Sequence, residues 1–179
     1  MADRRVALLR GINVGKAKRI AMADLRRVFE DLGYRDVKTL LNSGNVVFTV
    51  TGKGAADPAA KIEKAVADRL GVSSRVVVLT AAEVEEALRE HPLTKAKDPS
   101  RFLLVALRDS TAVTAVKPLL SQRWTPESIA LGKRIAYLWC ANGIVQSPLW
   151  TAVTRATGDA GTARNLTTMT KLLSLLQDT

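Results

Sequence analysis

The sequence predicts an α+β protein built from two related halves, each a ferredoxin-like βαββα(β) unit in which helices cover one face of a mainly antiparallel sheet. Three observations support this fold class. Short β-rich apolar runs alternate with longer segments of helical periodicity, turn-forming residues separate them, and the element order of the first half recurs in the second. We expect the halves at residues 1–80 and 81–179, the second with an additional C-terminal helix. The repeat is one of element order, without residue-level self-similarity.

The first half begins with a short apolar strand at residues 5–11, which a loop connects to a helix. That helix has apolar residues at helical spacing, and Gly33 is placed to end it: Met22, Leu25, Val28, Phe29 and Leu32. Two β-rich runs follow at residues 37–41 and 46–50. The Asn-Ser-Gly-Asn segment between them is typical of a hairpin turn, so these runs are expected to pair.

A second helix and a further strand complete the first half. The glycine-rich segment 52–57 is interpreted as a flexible turn, and Asp57-Pro58 then begins a helix that Gly71 ends. Its buried face is expected to carry Ile62, Val66 and Leu70. Residues 75–79 form the closing strand.

The second half opens with a capping box, Thr80 followed three residues later by Glu83, which predicts a helix to about Glu90. A polar connector with two lysines spans residues 92–100. The expected elements after it are a strand at 102–107, a helix at 112–120, strands at 128–131 and 135–140, and a helix from Pro148. A last amphipathic helix is predicted to begin near residues 162–165, in place of the strand that closes the first half.

Net charge is the unusual bulk property. The 179 residues include 27 Lys and Arg against 17 Asp and Glu, which gives a net charge of +10. This excess favours acidic partners, namely nucleic acid or a phosphorylated small molecule, although it also serves solubility. A single cysteine excludes an internal disulfide, and no apolar run is long enough for a membrane span or a secretory leader. We therefore expect a cytoplasmic protein without a membrane partner.

Most catalytic and metal-binding patterns are absent. One histidine and one cysteine, His91 and Cys140, cannot supply the ligand sets of zinc sites, so we predict no metal and no cofactor, while an oxygen-only Mg²⁺ site stays open. His91 fits a surface or capping role and Cys140 a small core residue. Segment 11–17 resembles a phosphate loop, but it has three spacer residues instead of four. It also ends in Ala17 where a Mg²⁺-binding Ser or Thr is required.

Several motifs taken together resemble one family. They are Leu-Leu-Arg-Gly-Ile-Asn-Val-Gly at residues 8–15, Leu-Gly-Tyr at 32–34, Ser-Gly-Asn-Val-Val-Phe at 43–48 and Gly-Thr-Ala-Arg-Asn at 161–165. In this order they resemble the DUF1697 family, which is largely bacterial and whose name records an unknown function. The resemblance covers nearly the whole chain and implies a two-part ferredoxin-like fold with no established activity. Two departures stand out, Lys16 where a second glycine is usual and Leu166 where a tryptophan is usual.

Three polar segments have a composition that packing does not explain: the loop 10–19, the turn 42–45 and the start of the last helix. Glycines let backbone N–H groups approach a ligand, and a helix N-terminus with an adjacent arginine suits a phosphate. The first strand of a ferredoxin-like unit is central, so we expect these segments to meet. The candidate anion-binding residues are Arg10, Asn13, Gly15, Lys16, Ser43, Asn45, Arg164, Asn165 and Lys171.

Three interpretations of these residues stay open. In the first they form a binding module for nucleic acid or a phosphorylated small molecule. In the second they belong to an enzyme acting on a phosphorylated or carboxylated substrate, with Arg10 and Lys16 stabilising charge and Asn13 or Ser43 orienting the substrate, although no convincing general base is present. In the third they are structural: the Asn side chains satisfy backbone groups, the glycines permit positive φ, and Arg164 pairs with Asp159.

Overall fold

The structure is a computed structural model that describes residues 2–52, 56–92 and 98–178. Contacts divide the chain into two compact units. The first comprises Met1–Glu83 with Leu172–Thr179, and the second comprises Val84–Lys171. The chain is α+β, with two four-stranded antiparallel sheets and six α-helices among the described residues, as the sequence predicts.

The first sheet has the strand order β2-β3-β1-β4, with every neighbouring pair antiparallel. Its elements in chain order are β1 (Asp3–Leu9), α1 (Met22–Asp31), β2 (Arg35–Leu40), β3 (Asn45–Val50), α2 (Ala59–Leu70) and β4 (Val76–Thr80). β1 is therefore central, and the loop that follows it emerges at the same end of the sheet as the β2–β3 turn, because Leu8 pairs with Asn45.

Alternation along these strands builds the core between sheet and helices. Ala7 and Leu9 on β1, with Phe48 on β3, are fully buried in one cluster with Leu25 and Phe29 of α1, together with Ile62 and Val66 of α2. Both helices end next to the glycines that the sequence predicts as their ends. Gly33 and Gly71 adopt φ of +90° and +66°, conformations that glycine reaches without strain. The predicted helices of this half are confirmed.

α3 (Ala81–Arg89) follows β4, and its predicted capping box is present. The Glu83 backbone N–H donates to Thr80 Oγ1 at 3.1 Å, and the Thr80 N–H donates to Glu83 Oε2 at 2.8 Å. These two bonds satisfy donors that a helix start otherwise leaves unpaired.

The second sheet repeats the topology with the order β6-β7-β5-β8. Its elements are β5 (Phe102–Leu107), α4 (Ser110–Val116), β6 (Ser128–Leu131), β7 (Ile135–Trp139), α5 (Pro148–Thr157) and β8 (Gly161–Asn165), with a 3₁₀ helix at Lys117–Ser121. α6 (Leu166–Gln177) ends the chain. Cys140 is fully buried in the core of this unit with Leu138 and Leu149, which confirms its role as a small core residue.

The strand β8 corrects one prediction. The last helix begins at Leu166, not near residues 162–165, and residues 161–165 instead pair antiparallel with β5. The central strand β5 has its backbone N–H and C=O groups on both edges to satisfy, and β8 supplies the partners on one side. The short polar Thr-Ala-Arg-Asn run lacks the apolar alternation that marks a strand, so its pairing is visible only in three dimensions.

Two predicted segments lie partly outside the described residues: the turn at 52–57 and the connector at 92–100. No helix in the described parts of the chain combines the length and the apolar character needed to cross a membrane.

Candidate anion-binding site

The loop between β1 and α1 is a small hairpin with a fixed base. We call residues 10–20 the basic loop. Its ends are anchored by Ile12 and Ile20, both buried in the core of the first unit, and the residues between 14 and 19 are exposed. An isolated bridge pairs Val14 with Ala17, which leaves Gly15 (φ +62°) and Lys16 at the tip.

The Asn13 side chain holds the base of this loop together. Its Oδ1 accepts from the Ile20 backbone N–H at 2.8 Å, while Nδ2 donates to the Ile20 carbonyl at 2.9 Å and to the Asn42 carbonyl at 2.7 Å. The Asn13 backbone N–H also donates to the Lys18 carbonyl at 3.0 Å. Both amide hydrogens are therefore committed to the backbone, so Asn13 shapes the loop and has no donor left for a ligand.

Replacing Asn13 by Asp is expected to destabilise the protein by about 1–2 kcal/mol, because the two carbonyls at 20 and 42 lose their donor while the shape of the side chain is kept. Urea unfolding measures the effect. The matched control is Asn42→Asp, which adds the same charge at the same end of the sheet. The Asn42 side chain makes no bond among the described residues, so the control should change stability by less than 0.5 kcal/mol, as surface substitutions usually do. Equal losses in the two variants would show that charge alone is responsible.

The turn between β2 and β3 packs directly under the basic loop. Asn45 is fully buried, and its Nδ2 donates to the Leu40 carbonyl and to Ser43 Oγ, both at 2.9 Å. The Leu9 backbone N–H donates to the Gly44 carbonyl at 2.9 Å. Ser43 and Asn45 thus have defined structural roles, and together with Asn13 they fix how the basic loop leaves the sheet.

The cations of the basic loop fall into two groups. Arg10 is half-buried, with its backbone N–H donating to the Arg75 carbonyl at 2.9 Å and its carbonyl accepting from Ser74 Oγ at 2.8 Å. Lys16, Lys18 and Arg19 are exposed, and none of them forms an ion pair with another described residue. The loop contains no acidic residue, so these three charges face solvent without a neutralising partner.

The other candidate residues lie in the second unit, at the junction of β8 and α6. Arg164 is on β8 opposite Leu104, half-buried, and donates from a terminal nitrogen to the Ala163 carbonyl at 2.8 Å. Burial, which penalises the charged form, lowers the pKa of Arg164 to about 10. Asn165 caps α6, its Oδ1 accepting from the Thr168 N–H at 2.9 Å. Lys171 is exposed on α6.

Arg10, Asn13, Gly15, Lys16, Ser43 and Asn45 are therefore brought together at one end of the first sheet. That Arg164, Asn165 and Lys171 join them in one site stays a prediction. The helix start near Asn165 was expected from the sequence, but Arg164 lies in the strand before it and not in the helix.

Residues 2–137 match the family described as "Protein of unknown function (DUF1697)". The chain belongs to the DUF1697 family. Among solved structures, a conserved bacterial protein, SP0830 from Streptococcus pneumoniae, is similar to it, with 23% sequence identity, a TM-score of 0.78, and coverage of 99% of this chain and 100% of that one. At this identity the likeness concerns the fold. A search of curated proteins finds no matching relative.

This DUF1697 chain has two further exposed cations in the loop 10–19, which the sequence marks as basic and polar but which are not among the candidate anion-binding residues. Lys18 and Arg19 share the exposure of Lys16, and Val14 beside them is 71% exposed. Their signal in the sequence was the run of basic residues without an acid. The sequence pattern does not show the bond from Asn13 to the Asn42 carbonyl, which holds the base of the loop that carries these side chains.

Proposed function

We propose that this protein is a basic, phosphate-binding module that contacts the backbone of nucleic acid through Lys16, Lys18 and Arg19, and that it does so in the cytoplasm. The observation that carries the proposal is the presentation of these cations: all three are exposed, none is paired within the described residues, and the loop that holds them is fixed by the Asn13 amide.

Electrostatics supports a polyanion as the ligand. Cations displayed on a projecting loop can each neutralise one phosphate and release its condensed counterions, which favours association with DNA or RNA whatever the sequence. The net charge of +10 adds long-range attraction that accelerates encounter. A preformed loop also loses little conformational freedom on binding, which preserves affinity.

Two observations favour this over a phosphorylated small molecule or an enzymatic role. Selective binding of a small anion needs several donors converging on one point, but both amide hydrogens of Asn13 and the side chain of Asn45 are committed to structural bonds. An enzyme further needs a general base close to the site, and the basic loop contains no carboxylate or histidine.

The test is fluorescence anisotropy with a short labelled DNA duplex, and with its RNA counterpart, over a range of salt concentrations. The combined variant Lys16→Ala, Lys18→Ala and Arg19→Ala is expected to lose roughly tenfold to a hundredfold in affinity at low salt. The slope of log K against log salt should become shallower by about 2–3, because each lost phosphate contact removes about 0.9 from it.

A charge-matched control separates the loop from net charge. The variant Arg27→Ala, Lys117→Ala and Arg123→Ala removes three exposed cations that also form no ion pair among the described residues. It should retain most of the affinity. If both triple variants weaken binding equally, the basic loop is not the site. Salt-tolerant, saturable binding of a nucleotide or of inorganic phosphate would instead favour the small-molecule alternative.

A further inference from the structure

The second unit contains an open groove of about 720 Å³ beside α5. One wall is a single face of that helix, where Pro148, Ala152, Arg155 and Ala156 recur at the spacing of three and four residues that places side chains in one stripe. Trp124 lies among the residues that line it. The volume is in the range of pockets that hold small organic molecules, roughly 300–1,000 Å³.

The α5 groove is lined by both apolar and polar side chains, and one of the polar side chains is charged. Trp124 is half-buried, and its ring is fixed because Nε1 donates to the Leu119 carbonyl at 2.9 Å, so the indole offers the groove its hydrocarbon surface. Arg155 is the only charged residue among those that line the groove. It is exposed and forms no ion pair with any other described residue.

At the start of α5, the Ser147 hydroxyl and the Leu149 and Trp150 backbone N–H groups are already bonded within the protein. Ser147 Oγ donates to Glu127 Oε2 at 2.5 Å and accepts from the Trp150 N–H at 3.0 Å, while the Leu149 N–H donates to Glu127 Oε1 at 3.0 Å. The first turn of α5 is thus already bound to the Glu127 carboxylate, which would repel a second negative charge there. An anionic group therefore belongs at Arg155, two turns or about 12 Å further along the helix.

We propose that the α5 groove binds a small organic monocarboxylate with an apolar aliphatic or aromatic body, held by Arg155 through its carboxylate and by Trp124, Ala152 and Ala156 through its body. The two oxygens of a carboxylate can accept two parallel hydrogen bonds from one guanidinium, and its single negative charge balances the single positive charge of the arginine. A phosphate dianion would need further charged donors. Apart from Arg155, the polar groups of the lining are uncharged: the amides of Gln122 and Gln146, and hydroxyl groups. This site is independent of the basic loop and of its proposed function.

Isothermal titration calorimetry with three acids and their primary amides tests the proposal: 4-phenylbutyrate, octanoate and indole-3-propionate. At least one acid should bind saturably to the wild-type protein, and its amide more weakly by roughly tenfold or more, as expected for the loss of a charge-assisted bond. Arg155→Gln should reduce binding of the acid to the level of the amide and leave the amide unchanged. Arg123→Gln, which removes an exposed cation that does not line the groove, should bind as wild type.

A second variant locates the ligand. Thr151 is exposed on the lining face of α5, one turn before Arg155, so Thr151→Trp should obstruct the groove beside Arg155 and abolish binding of both acid and amide, with an unchanged melting temperature showing that the protein is folded. The proposal is overturned if no acid in the panel binds, if acid and amide bind equally, or if either Arg155→Gln or Thr151→Trp binds the acid as wild type does.

Discussion

Replacing Gly44 by Ala is expected to lower the free energy of unfolding by about 2–5 kcal/mol. Gly44 adopts φ of +86°, in the left-handed region where a Cβ atom costs roughly 1–2 kcal/mol. A Cβ at this position would also lie 2.8 Å from Leu9 Cβ and 2.9 Å from Ile12 Cδ1, both in the packed core. Relieving such an overlap adds about 1–3 kcal/mol, because a close-packed core can yield only by moving side chains or backbone.

Gly33→Ala separates the two causes. Gly33 has a similar φ of +90°, but a Cβ there meets no atom within 4 Å. It should therefore show the backbone cost alone, about 1–2 kcal/mol. Chemical denaturation of both variants measures the difference, which reports the steric overlap at Gly44. Equal losses would mean that Leu9 and Ile12 move aside at no cost, and the tight packing of turn against strand would be refuted.

The same substitution links fold to function. Ile12 anchors one end of the basic loop, and Asn13 beside it holds the loop base. A displaced Ile12 would disturb the projection of Lys16, Lys18 and Arg19, so Gly44→Ala should weaken nucleic-acid binding without removing any charge, if the proposed function is correct. A glycine is thus needed here for a close approach of backbone to core.

The sequence predicts elements well wherever local chemistry decides them. The helix ending at Gly71, the capping box of Thr80 and Glu83, and the hairpin around residues 42–45 all depend on neighbours a few residues apart, and all are present. Strand β8 depends instead on pairing with β5, more than fifty residues earlier in the chain. Its Thr-Ala-Arg-Asn composition gives no local preference strong enough to show that partner.

Prediction of the candidate site from the sequence has the same limit. Glycines, asparagines and basic residues mark residues 10–19 and 42–45 as unusual, and the structure joins these two segments through Asn13 and Gly44. Which residues of these segments support the loop and which face solvent is visible only in the tertiary structure. The sequence leaves two roles open for Asn13, a ligand contact or a partner for backbone groups. In the structure it donates both amide hydrogens to carbonyls at positions 20 and 42, and only such bonds show which polar side chains face solvent.

Glu127 and Ser147 form a buried pair that the sequence interpretation did not single out. Glu127 is 8% exposed and Ser147 is 2% exposed, and Glu127 accepts from the Ser147 hydroxyl and from the Leu149 N–H at the start of α5. The Ser-Pro dipeptide at 147–148 is a recognisable helix start, since Ser caps well and Pro fits the first turn. The carboxylate that completes the cap comes from twenty residues earlier, beyond the reach of any local pattern.

Removing this carboxylate in Glu127→Ala is expected to cost about 3–5 kcal/mol in the free energy of unfolding. The Leu149 N–H and the Ser147 hydroxyl lose their acceptor in a place that water scarcely reaches, at about 1–3 kcal/mol for each unsatisfied group, and the interaction of a negative charge with the helix N-terminus is lost as well. Glu127→Gln should cost only about 1–2 kcal/mol, since the amide oxygen still accepts from Leu149 and its NH₂ can donate to Ser147 Oγ.

Urea denaturation of Glu127→Ala, Ser147→Ala and the double variant gives a double-mutant cycle for this pair. If the 2.5 Å contact between Ser147 Oγ and Glu127 Oε2 contributes directly, the two single losses should exceed the double loss by more than 0.5 kcal/mol, as for residues in one hydrogen-bond network. Additive losses would show that each residue caps α5 independently.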